Sequence, residues 1–187
     1  MTSSAATFVV LGLVTRRPGS GYDIAAFADR SVRHFWPISR SQLYTELSRL
    51  EELGWASGTA VLQDRYPTKR VYEATPAGLA ALRQWLDSAP RQHRQRMQDP
   101  VVLRTFLGPH MSRDRLADQL RAHREQAETL RAELSDVVDH LDAKGPVGPH
   151  RFGRATARYG ILQAEATIAW TQEVQAMLDA EPDPETG

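Results

Sequence analysis

Ser41, Gln42, Thr45, Ser48 and Arg49 recur on one side of the stretch SRSQLYTELSRLEELG, residues 39–54, with Ser39, Arg40 and Tyr44 beside them. Short hydroxyls and an amide let a helix lie close to a groove floor, and Arg and Gln reach guanine and adenine edges. The other side repeats Leu43, Leu47 and Leu50 at i, i+4, i+7, and Leu53 extends the stripe. Ser39 followed three residues later by Gln42 fits a capping box, and Gly54 stands where a C-terminal cap belongs. The pattern is that of a helix with one face for a core and one for a DNA groove. An amphipathic helix with a mixed polar face is common, so the flanking segments must decide.

Upstream, GYDIAAFADRSVR (residues 21–33) is a second helical pattern that turns Ile24, Phe27 and Ala28 inward, with Ser20 as its cap. Residues 34–38, HFWPI, break it at the proline. Two helices separated by a few residues, the second with a small polar face, form the helix-turn-helix layout. The apolar run FVVLGLV, residues 8–14, is too short for a membrane and is read as a first, buried helix. It is not read as a signal peptide, since no basic residue precedes it and no cleavage pattern follows. Downstream, residues 55–63 and 70–74 are strand-like, joined by the turn-prone DRYPTK. A hairpin with cations at its tip directly after a recognition helix is a wing, and Arg65, Lys69 and Arg70 are its candidate phosphate or minor-groove contacts. Thr75 and Pro76 then open a helix that should pack through Leu79, Leu82 and Leu86, with Trp85 adjoining.

In this order, GY, then SQLYTELSRLEELGW, then PTKRVYEATPAGLAAL, the chain resembles the PadR family of bacterial transcription regulators over about residues 7–90. The matching positions are Gly21 and Tyr22; Tyr44, Leu47, Leu50 and Gly54; Tyr72, Thr75 and Gly78. Thr45 departs from the proline many relatives carry, and the tip DRYPT lacks a glycine often found there. The resemblance implies a homodimeric winged-helix regulator, most often a repressor, on a palindromic double-stranded DNA operator. It also implies phosphate contacts for Tyr44 and Tyr72, against the alternative that each is a partly buried aromatic supporting the helix. Tyr22 is read as structural, and Trp36, Trp55 and Trp85 as core anchors.

The second half is expected to be all-helical. Leu116, Leu120, His123, Ala127, Leu130, Leu134, Val137 and Leu141 step alternately by four and three, a heptad seam of about three and a half repeats. Ser112 is the expected N-cap, and GPVGP at 145–149 ends the helix. A second long pattern, residues 152–178, has Tyr159, Leu162, Ala166, Ala169, Trp170, Val174 and Met177 or Leu178 on one side. The seam closes either within one chain or across a dimer, with Leu116, Leu120, Leu130, Leu134, Leu141, Leu162 and Trp170 as candidate dimerisation residues. This half resembles the virulence-activator-type C-terminal domain of the longer PadR relatives. The expected fold class is therefore mainly α with a small β wing: an N-terminal winged helix-turn-helix (1–90), a connector (91–111), a C-terminal all-helical dimerisation domain (112–178) and an acidic disordered tail (179–187). Within the connector, the basic run Arg91, Arg94 and Arg96 is read as a solvated linker, with added phosphate contacts as the alternative, and VVLRTFL at 101–107 as a short docking helix.

Zero net charge argues against a general polyanion binder, yet residues 30–70 hold 7 basic against 4 acidic side chains where DNA would sit. The chain has no Cys, which excludes disulfides and thiolate metal sites. The six histidines follow no metal-ligand spacing, and His123 reads as a polar residue tolerated in the seam. No Gly-rich phosphate loop, His-Glu-x-x-His or nucleophile elbow occurs, so no enzyme, cofactor or metal is expected. A helical protein-interaction adaptor is the alternative, but it leaves the polar helix and basic hairpin unexplained. Without a membrane-length apolar segment, a cytoplasmic protein is expected. The resemblance further implies a small aromatic or phenolic effector, for which Trp85, Phe106, Tyr159 and Trp170 are candidate lining residues.

Overall fold

Four side-chain hydroxyls start the four helices of the N-terminal unit. Ser4 accepts from the Thr7 amide, Ser20 from Asp23, Ser39 from Gln42 and Thr75 from Gly78. Each satisfies a donor that the first turn leaves without an intrahelical partner. The computed structural model describes residues 4–62, 69–89 and 98–180, which fall into two compact units divided between His93 and Arg94. In the first, the order is α1 (Ala5–Arg16), β1 (Gly19–Ser20), α2 (Gly21–Ser31), α3 (Arg40–Glu52), β2 (Ala56–Val61), β3 (Lys69–Ala74) and α4 (Pro76–Asp87).

The three strands form an antiparallel sheet in the order β1-β3-β2, with Gly19 opposite Tyr72 on one side and Gly58 opposite Tyr72 on the other. The first strand-like run shortens to residues 56–61, the second starts one residue earlier at 69–74, and the wing tip, Arg65 included, lies outside the described residues. β1 was not expected; two residues carry no periodicity, and β3 recruits them. Val10, Leu11, Val14, Ile24, Leu43, Leu47 and Leu50 are each at most 1% exposed and form one core. Each such side chain contributes about 1.5–3 kcal/mol when withdrawn from water. Glu46 is also buried, with Ser4 Oγ donating to it at the start of α1, where the helix dipole favours a carboxylate.

Three expected packing positions face solvent instead. Leu53 is the C-cap residue of α3, turned out as the helix ends before Gly54 at φ +68°. Leu86 is exposed near the end of α4. Trp36, beside the proline break, is 42% exposed rather than a core anchor. Trp55 packs on the core, and Trp85 stacks on Phe8 at 4.8 Å with its outer face open.

The second unit comprises α5 (Pro100–Phe106), a 3-10 turn (Gly108–His110), α6 (Arg113–Asp142) and α7 (His150–Ala180). α6 and α7 pair antiparallel. Leu116 and Leu120 pack with Val174 and Leu178 at one end, Ala127 with Ala164 and Ile168 midway, and Leu134 with Ala157 and Ile161 at the other. The α6 heptad is thus closed within one chain. Leu116, Leu120 and Leu134 are covered by their own hairpin, Leu130, Leu141 and Trp170 are half-buried, and Leu162 is exposed. The inward side of α7 differs from the expected one: Ala157, Gly160, Ile161, Ala164, Ile168, Thr171, Val174 and Leu178 are buried. Tyr159, Leu162, Ala166, Ala169 and Met177 are exposed. Small side chains at 157, 160 and 164 allow close helix approach, and that selects the face. His123 has a defined role in the seam. Its Nε2 lies 3.2 Å from Asp99 Oδ2, while the other oxygen of Asp99 caps α5 through the Val101 and Val102 amides. Ser112 stands at the N-cap of α6 without a side-chain cap bond. The basic run 91–96 and the tail from residue 181 lie outside the described residues, and α7 runs on to Ala180.

Candidate nucleic-acid interface

The geometry of α3 follows from its two faces. With Leu43, Glu46, Leu47 and Leu50 buried, the helical period turns Ser39, Arg40, Ser41, Gln42, Tyr44, Thr45 and Ser48 to solvent, and Arg49 is half-buried at the edge. Two of the hydroxyls are turned back onto the helix: Thr45 donates to the Ser41 carbonyl at 3.0 Å and Ser48 to that of Tyr44 at 3.3 Å. Ser41 and Ser39 hydroxyls are 3.1 Å apart. Gln42, Arg40 and Arg49 are the long polar side chains of this face.

Tyr44 lies across the start of α2. A β-carbon added to Gly21 would stand 2.4 Å from Tyr44 Cε1, so glycine at the first position of α2 leaves the space that this ring occupies. Tyr44 remains 46% exposed, and its neighbour Tyr22 is 67% exposed with the Arg40 guanidinium 6.0 Å above its ring. Tyr22 is therefore a surface aromatic beside the polar face, not the structural residue its sequence context implies. Nothing in its spacing separates the two outcomes; only the placement of Arg40 does. At the same helix start, Ser20 and Asp23 form a reciprocal capping box. Hydrogen bonds from Ser20 hold the Asp23 carboxyl below its ordinary value, and the nearby cations Lys69 and Arg17 lower it further. Lys69 is exposed at the start of β3.

Tyr72 is 8% exposed in the core of the unit, where burial raises its hydroxyl pKa, aided by the Glu51 charge. Its ring supports the sheet, as the sequence-based alternative allowed. Arg70 is not a free cation: its Nε and Nη2 donate to the Glu51 carboxylate at the end of α3. Glu51 raises the Arg70 pKa by hydrogen bonding first and by its charge second. Glu51 lies 19 residues away, and no local pattern announces the pairing. Thr75 completes the frame by donating to the Gly54 carbonyl at 2.7 Å while capping α4. Gly78 is needed there because an added β-carbon would strike the Trp55 carbonyl oxygen. Among the described residues no group of His and acidic side chains could hold a metal, and no helix is long and apolar enough to cross a membrane.

An exposed polar recognition helix, a two-stranded wing and an all-helical second unit define a winged helix-turn-helix DNA-binding transcription regulator. The chain belongs to the PadR-like family of transcriptional regulators, matched over residues 10–84, with the virulence activator alpha C-terminal domain over residues 97–179. It is 24% identical over 180 residues to the negative transcriptional regulator PadR of Bacillus subtilis, covering 92% of this chain and 96% of that protein. The fold matches the crystal structure of B. subtilis PadR in complex with operator DNA, with a TM-score of 0.83 at 21% identity and coverage of 94% and 99%. The same protein in complex with p-coumaric acid matches at 0.75 and 19%, over 96% of this chain and all of that one. The Vibrio cholerae virulence activator AphA matches at 0.73 and 29%, over 94% and 99%.

Proposed function

We propose that this regulator binds a palindromic operator as a homodimer, represses transcription there, and is released by a small aromatic or phenolic effector. The observation that carries the reading is the division of α3: Leu43, Leu47 and Leu50 fully buried, and Ser41, Gln42, Tyr44 and Thr45 exposed on one face. Gln42 and Arg49 are the base-reading side chains. Ser39, Ser41, Thr45 and Ser48 line the groove wall, and Arg40, Tyr44, Tyr22 and Lys69 hold phosphates. Arg65 at the wing tip is the minor-groove candidate. One such helix covers one half-site, and two related by a dyad reach half-sites about one turn apart.

The second copy is assigned to the outer side of α7. Phe152, Tyr159 and Leu162 are each at least 49% exposed and continue through Ala155, Ala166 and Ala169 in alternating steps of three and four. A stripe of that kind is buried in helix pairs. Repression is supported by the negative regulator to which the chain is similar, and an aromatic effector by that protein's complex with p-coumaric acid. Of the candidate lining residues, Phe106 and Tyr159 have open rings, whereas Trp85 and Trp170 are engaged in packing.

Gel-shift titration against the protein's own upstream DNA, with unrelated competitor and at two salt concentrations, tests the reading. Binding that survives competitor and is then reversed by p-coumaric acid or a related phenol is expected. Binding that disappears with competitor would overturn operator recognition at that site.

A further inference from the structure

Arg70 has the position of a DNA contact and the partners of a structural strut. It lies in β3 beside the wing tip, and its side chain is about half exposed. Yet two of its nitrogens are forked onto Glu51, with Nε 3.2 Å and 3.1 Å from the two carboxylate oxygens and Nη2 on Oε1. Fork-to-fork pairs of this kind fix direction as well as distance. The pair rests on Gly58 of β2, where an added β-carbon would stand 2.4 Å from both Arg70 Nε and Glu51 Oε1. The three residues thus come from both strands of the wing and from the last turn of the recognition helix.

We propose that Arg70 is a positioning residue: forked onto Glu51 across Gly58, it sets the angle between wing and recognition helix. The direct-contact alternative makes the opposite prediction for Glu51. If Arg70 served a phosphate, Glu51 would compete for it and add repulsion, so removing the carboxylate would tighten DNA binding. As a strut, the pair loses its function from either end, and loss of Glu51 weakens binding.

Two measurements separate these. In the free protein, spin labels at Asp29→Cys and Leu62→Cys, on the only two cysteines then present in the chain, report the wing against α2. A narrow distance distribution is expected in the parent, a broad or shifted one in Glu51→Ala, Arg70→Ala and Gly58→Ala, and recovery in the Glu51→Arg/Arg70→Glu exchange. An unchanged distribution in Glu51→Ala overturns the proposal without any DNA present, so this arm stands apart from operator recognition. In gel shifts with the upstream DNA, Glu51→Ala is expected to weaken binding several-fold with an unchanged salt slope, and the exchange variant to restore it. Tighter binding by Glu51→Ala, together with a salt slope lowered by about 1 in Arg70→Ala, would make Arg70 a phosphate contact and overturn the strut.

Discussion

The Tyr44 ring occupies the space that a side chain at Gly21 would need, so the first residue of α2 and the exposed aromatic of α3 are mutually fixed. Exchange of Gly for Ala within a helix ordinarily stabilises by up to about 1 kcal/mol. Here the methyl would meet Tyr44 at 2.4 Å, and overpacking of that kind costs about 1–3 kcal/mol. Gly21→Ala is therefore expected to lower the melting temperature slightly and operator affinity much more, because half-exposed Tyr44 yields before the core does. Thermal unfolding beside gel-shift titration checks it; a more stable variant with full affinity would show that the ring has room to move.

Arg49→Ala and Tyr44→Ala are expected to abolish operator binding at working concentrations while leaving oligomeric state and unfolding temperature near those of the parent. A bidentate base contact supplies about 1–3 kcal/mol of discrimination, so losing Arg49 should also flatten the preference for operator over competitor. Losing Tyr44 should weaken both alike. Retained affinity in both variants would remove the assignment of α3 as the reading helix.

Thr75 joins two helix ends, accepting from the Gly78 amide and donating to the Gly54 carbonyl. Thr75→Ala forfeits the cap, at about 0.5–2 kcal/mol, and frees the Gly54 carbonyl as well. Thr75→Ser keeps both hydrogen bonds and should recover most of the loss. Denaturant unfolding of the two variants gives the comparison, and equal stability would mean that the hydroxyl contributes only its volume.

Much of this organisation is written in short-range patterns. The stripe Leu43-Leu47-Leu50, the caps Ser20, Ser39 and Thr75, and the alternating steps from Leu116 to Leu141 are local signals that packing had only to confirm. What stayed illegible depends on partners remote in sequence. Arg70 reads as a free cation until Glu51 is beside it, and Tyr22 reads as structural until Arg40 lies over it. α7 presents apolar residues on two sides, and choosing between Tyr159-Leu162-Ala166 and Ala157-Ile161-Ala164 requires knowing how closely α6 approaches. Periodicity finds both stripes and cannot rank them; the buried one is the one with the smaller side chains.

The capping box of α2 should give the N-terminal unit a defined acid sensitivity. Ser20 holds the Asp23 carboxyl below its ordinary value of 3.8, so the fold favours the charged form. The resulting stabilisation is present in full above that ordinary value and is lost as pH falls below it, through the lower folded-state value. Asp23→Asn should accordingly be less stable than the parent at neutral pH, with the difference closing below about pH 4. Unfolding midpoints measured across the acid range read this directly. A gap that persists unchanged to low pH would assign it to amide geometry rather than charge.

The two apolar sides of α7 should respond to mutation in opposite ways. Leu134 is buried against Ala157 and Ile161 inside the hairpin, so Leu134→Ala opens a cavity and should cost about 2–5 kcal/mol of stability. Leu162 is half exposed on the outer stripe, where a polar substitution within one chain ordinarily changes stability by no more than about 0.5 kcal/mol. Leu162→Glu is nevertheless expected to convert the proposed dimer to monomer, because each copy would bring a carboxylate into the stripe assigned to the interface. Operator affinity should fall with it, since each winged helix then engages its half-site alone. Sedimentation of both variants decides the assignment. A Leu162→Glu protein that remains dimeric would move the interface off this stripe, and an exposed residue that destabilised the single chain as strongly as Leu134→Ala would mean that the stripe is already covered within one protomer.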